Sequence, residues 1–167
     1  ENRDEQRDDL AFAAGQQWPE TIITQRNADM RPCLTFNRSL QYVHQVTGDI
    51  RQSPPAASVV PVDDKADIRT AKIYSSIIRH VENASDAQSA YVNAVEGSTL
   101  CGEGHFRLLT AYDDFESANQ KLEIKTIRDH LSVDWDPYAE EKTKADARYC
   151  FVYTKLPLAD FKAEYPD

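Results

Sequence analysis

The apolar residues of this chain change their period at one point, and that change limits the fold more than any other feature. Up to Gly104 they recur at three- and four-residue spacing, the repeat of a helix with one face against a core. Beyond Gly104 they alternate with polar residues, the repeat of a half-buried strand. Helices first and strands later, without strict alternation, predict an α+β fold. Several N-terminal helices would pack on a small, mainly antiparallel sheet formed by the C-terminal half, in a single domain over residues 1–167.

The helical half divides at its prolines and glycines. Arg3 to Gln17 reads as a helix stopped by Trp18-Pro19. Thr21 to Thr24 is a short β-prone run. From Leu34 to about Ile50, the residues Phe36, Leu40, Val43, Val46 and Ile50 make one stripe, ended by Ser53-Pro54-Pro55. A third helix, from about Asp64 to Glu82, carries Ile73, Ile77 and Val81 on one face, with Asp63 and Asp64 placed to cap it. A fourth starts at Ser85, which with Gln88 fits the reciprocal capping pattern. Its face is small and apolar: Ala87, Ala90, Tyr91, Ala94 and Val95.

The alternating half gives four runs. His105 to Tyr112 places Phe106, Leu108, Thr110 and Tyr112 on one face. Lys121 to Ile127 pairs with it as a hairpin across a long acidic turn. Leu131 to Trp135 is a short strand and Arg148 to Thr154 the strongest, with Tyr149, Phe151 and Tyr153 in register. Pro157 opens a short final helix.

Charge narrows the function. The chain has 28 acidic and 19 basic side chains, a balance of −9. Such a surface repels bare phosphate unless Lys and Arg are clustered, and no stretch clusters them. No apolar run approaches the roughly 20 residues that span a bilayer. Cys33, Cys101 and Cys150 are odd in number and far apart, as expected of reduced thiols in an intracellular protein. The chain starts without Met, in helix-like sequence, and reads as a piece of something longer.

Three constellations bear on chemistry. Asp113 or Asp114 followed by Glu123-Ile124-Lys125 has the form of a metal-dependent nuclease centre, in which two carboxylates hold a divalent cation and a lysine activates water. The alternative is a charged stripe on the outer face of a hairpin, and the acidic surface favours that reading. Cys101 and His105 offer two zinc ligands where three or four are needed, and His44, His80 and His130 are scattered. Asp134-Trp135-Asp136-Pro137 could hold a cation, but such a sequence is more often an acidic turn over a packed aromatic. No phosphate-cradling glycine loop occurs, and Ser98 and Ser117 lack a nucleophile-elbow context. The strand tyrosines and Trp135 could stack bases, but without basic neighbours they are expected in the core. The expectation is therefore of no catalytic residue, no metal and no cofactor.

A collinear set of segments goes further. Gly104-His105-Phe106-Arg107-Leu108-Leu109-Thr110-Ala111-Tyr112-Asp113-Asp114 resembles the strand-and-turn segment of portal proteins from short-tailed, podovirus-type phages. Val133-Asp134-Trp135-Asp136-Pro137, then Lys144-Ala145-Asp146-Ala147-Arg148-Tyr149-Cys150, resembles that family's next segment, and a short helix around Phe161 to Tyr165 follows in place. Asp4 to Phe12, Arg31-Pro32, Ile50-Arg51-Gln52-Ser53-Pro54 and Val60-Pro61 resemble its earlier parts. The chain departs from the pattern at Asn83 to Gly104 and at the Glu140-Glu141 loop.

The resemblance implies a structural, non-enzymatic subunit from a phage or prophage: an N-terminal fragment of the wing region of the head-to-tail connector. Such subunits form a dodecameric ring at one capsid vertex. Terminase, capsid and tail proteins meet the parent protein there, and DNA passes through in packaging and ejection without sequence-specific binding by this fragment. It implies a virion location, with assembly in the bacterial cytoplasm and no membrane. The isolated fragment is expected to be a monomer or weak oligomer.

Overall fold

The computed structural model describes residues 2–62, 67–114, 116 and 118–166, excluding the side chain of Asn2. Among these residues six α-helices, mostly N-terminal, precede or flank two small antiparallel ladders, and the α+β expectation holds. The chain divides into two compact units, residues 1–130 and 131–167.

The first unit is built around one helix. In order it contains α1 (Asn2–Ala13), α2 (Glu20–Ala28), α3 (Ser39–Gln52), α4 (Ile68–Ala84), α5 (Ala87–Cys101), β1 (Phe106–Tyr112) and β2 (Gln120–Thr126). Helices α1, α3 and α4 and both strands pack on α5. Small residues make this possible, because Ala87, Ala90, Ala94 and Gly97 let backbones approach from several sides. Ala87 and Ala90 are each 1% exposed and, with Ile124 of β2, form the core, flanked by Val81 and Tyr91. Polar ties fix the neighbours. Tyr91 Oη donates to Glu82 Oε1 at 3.1 Å, Gln88 Nε2 to the Arg51 carbonyl at 3.2 Å and Asn93 Nδ2 to the Ile127 carbonyl at 2.7 Å. Asn37 joins α1 to α3, donating to the Ala13 carbonyl at 2.6 Å and accepting from Ser39 N at 3.1 Å.

Two glycines are dictated by close approach. A side-chain carbon on Gly97 would run into the His130 ring, and one on Gly104 into the Ala94 carbonyl. Gly102 ends α5 in the left-handed conformation, at φ +83°.

Several local expectations need correction. Thr21 to Thr24 lies inside α2, because Pro19 takes the N-cap position, Glu20 sits in the positive first turn, and no partner strand among the described residues competes. The Ser85–Gln88 capping pair does not form: Ser85 closes α4, the Gln88 side chain reaches α3, and Asp86 is the N-cap, in the left-handed region at φ 49°. Gly97 lies inside α5, which runs on to Cys101. The cap expected from Asp63 and Asp64 lies outside the described residues. Asp67 caps α4, accepting from Arg69 N and Thr70 Oγ1 at 2.8 Å each. Those bonds hold its carboxyl below the usual aspartate range, the Thr70 hydroxyl most of all.

In the second unit, β3 (Val133–Trp135) pairs antiparallel with β4 (Cys150–Val152), and α6 (Leu158–Glu164) follows. The strand expected over Arg148 to Thr154 pairs along three residues only, the length of its partner. Its aromatics are not core: Tyr149, Phe151 and Tyr153 are exposed, where burial had been expected.

Candidate functional site

The hairpin brings Glu123 and Lys125 onto one face, as the strand repeat requires. There the carboxylate is already occupied. Glu123 Oε2 lies 2.7 Å from Lys125 Nζ and Oε1 lies 3.3 Å from Lys121 Nζ, one lysine on each oxygen. These contacts, Lys125 foremost, hold its carboxyl below the usual glutamate range. Glu123 stands opposite Leu109, whereas Asp113 lies beyond the last rung, where its N–H donates to the Asn119 carbonyl at 2.9 Å. The four-residue offset from Leu109 to Asp113 is about 13 Å along an extended strand, too far for two carboxylates to share a cation. The arrangement is a charged stripe, with lysines bracketing an acid.

Cys101 is buried at the end of α5, its thiol donating to the Gly97 carbonyl at 3.2 Å. Burial pushes that thiol up, away from the thiolate that metal binding needs. His105 is held below its usual range, by burial first; Glu103 opposes the shift and His130 adds to it. His130 sits over Gly97, and its Nδ1 has no hydrogen-bond partner among the described residues. His44 and His80 are exposed on α3 and α4. Among the described residues, no three His, Cys, Asp or Glu side chains stand together as a metal cluster.

Asp136 is 3% exposed and serves the backbone of its own loop. Its Oδ1 accepts from Tyr138 N at 3.0 Å and its Oδ2 from Arg148 N at 3.3 Å. Asp146 does the same nearby, accepting from Glu140 N at 2.6 Å and Glu141 N at 3.2 Å. The Glu140 amide foremost holds its carboxyl below the usual range. Both acids act as turn builders. Ser98 is exposed on α5, and Ser117 lies outside the described residues.

The expected faces of two helices are met only in part: Val81 of α4 packs against the core and Val43 of α3 is buried, but the other residues of each stripe do not all follow. In α4 the inward residues are Ala71, Ser75, Ile78 and Glu82, while Ile73 and Ile77 are exposed. In α3 the buried positions are Val43 and Thr47, while Leu40 and Val46 are exposed and Phe36 lies before the helix, 80% exposed. On the hairpin Leu108, Tyr112 and Leu122 are also exposed. No helix among the described residues is long and apolar enough to cross a membrane.

The family model described as phage P22-like portal protein matches residues 1–167, the whole chain. No curated protein matches it.

Proposed function

Because the chain belongs to the phage P22-like portal protein family, we propose that it is a structural part of a portal ring, the conduit for DNA packaging and ejection at one capsid vertex. The family match along the full 167 residues carries this reading. In it the chain is a wing-region segment of a phage or prophage subunit, without catalysis. It serves by presenting packing surfaces to other copies and, through the parent protein, to terminase, capsid and tail proteins.

Two physical features support the reading. The acids that might have held a cation are engaged elsewhere: Glu123 by lysines, Asp136 and Asp146 by backbone amides. A net charge of −9 suits a conduit wall that DNA slides past without sticking. Electron microscopy of the full-length parent tests the proposal. Closed rings with a central channel, from a gene beside a terminase gene, are the expected result. Magnesium-dependent cutting of plasmid by this chain, abolished by Glu123→Ala, would overturn it.

A further inference from the structure

Helix α4 shows its outer face to solvent, and that face has a definite chemistry. Arg69, Lys72, Ile73, Ser76, Ile77 and His80 follow one another at three- and four-residue steps and line a shallow groove along the helix. Ile73 is 53% exposed and Ile77 50%. The acids of α4 and its cap are held away from this stripe. Asp67 is bonded to Arg69 N and Thr70 Oγ1, and Glu82 to Tyr91 on the α5 side. A cationic, apolar stripe that holds no acid among the described residues is unexpected on a chain carrying −9.

The same unit displays its complement. On α1, Glu5, Asp8, Asp9 and Phe12 lie at the same helical steps and are exposed, while Ala13 turns inward. The α1 stripe is about two turns long and the α4 stripe about three, one with acids leading to an exposed phenylalanine and the other with bases flanking two isoleucines. We propose that the α4 stripe of one copy receives the α1 stripe of a second copy. Phe12 would enter between Ile73 and Ile77, and Asp8 and Glu5 would face Lys72 and Arg69. The two patches differ, so the contact is heterologous and leads onward from copy to copy. Exposed ion pairs add little affinity but fix register and exclude wrong partners, while the buried phenylalanine supplies the hold. This rests on the ring reading only in expecting neighbouring copies.

The test uses the 167-residue chain at about 0.5 mM, where contacts in the millimolar range are populated. Sedimentation velocity should show self-association that weakens with salt. Lys72→Glu and Asp8→Lys should each weaken it by about tenfold, and the two together should restore it to within about threefold. Circular dichroism confirms that each exposed variant still folds. A photo-crosslinker at Ile73, in a mixture of isotopically light and heavy chains, should join different chains at Asp8 to Phe12. Crosslinks landing elsewhere, additive rather than compensating charge reversals, or a chain that stays monomeric would overturn the proposal. So would capture of a DNA duplex that Lys72→Glu abolishes. Rings of the parent protein built through other patches would sink this contact and leave the ring reading standing.

Discussion

At the scale of single residues, the contact between Gly97 and His130 shows how tightly α5 is surrounded. A methyl group at Gly97 must displace the imidazole, and His130 sits where the chain leaves the first unit. Gly97→Ala is expected to destabilise the fold by about 1–3 kcal/mol. Adding His130→Ala should recover part of that loss, a coupling of at least about 0.5 kcal/mol in thermal melts. Additive effects would show that the ring does not set the constraint. His105 gives a pH dependence with a definite sign. Burial holds it below its ordinary value of 6.5, so the unfolded chain takes up the proton first as pH falls. Its contribution is intact above 6.5 and declines as pH drops below that value. Urea melts from pH 7 to about pH 5 should lose stability, and His105→Asn should flatten the slope over that window.

At the scale of elements, α5 is the organising piece because its side chains are small, and Asp136 plays the corresponding part in the second unit. Its carboxylate satisfies the N–H groups of Tyr138 and Arg148, which bracket the loop after β3. Asp136→Ala strands both donors and should cost about 2 kcal/mol locally. Amide exchange at Tyr138 and Arg148 should accelerate, while the β1–β2 ladder of the other unit keeps its protection. Equal acceleration in both would mean that the two units unfold together. The helices and strands themselves were largely readable. The change of period at Gly104 falls at the start of β1, but the expected face of Phe106, Leu108, Thr110 and Tyr112 is exposed, and Leu109 and Ala111 are the half-buried positions. Helix α2 was not readable, since Ile22 and Ile23 favour strands by local preference and only the missing partner strand lets the Pro19 start prevail.

At the scale of the whole molecule, the apolar side chains left outside matter more than the small core. Each exposed patch is about one helix face wide, too little for a stable closed assembly on its own. Light scattering at about 10 µM should therefore find this chain mainly monomeric; a stable dodecamer at that concentration would contradict it. The candidate chemistry could be named from sequence but not judged there. Glu123 and Lys125 share a face in any strand, whereas the second lysine on the same carboxylate and the distance to Asp113 come from the pairing register. Sequence alone determined where helices give way to strands, because the repeat of a helix or a strand is a property of neighbouring residues. Only the tertiary structure decided that Ala71 and Ile78 turn inward while Ile73 and Ile77 face outward. A periodic stripe says that a face seeks a partner, but the small residues of the element it meets choose which face is covered first.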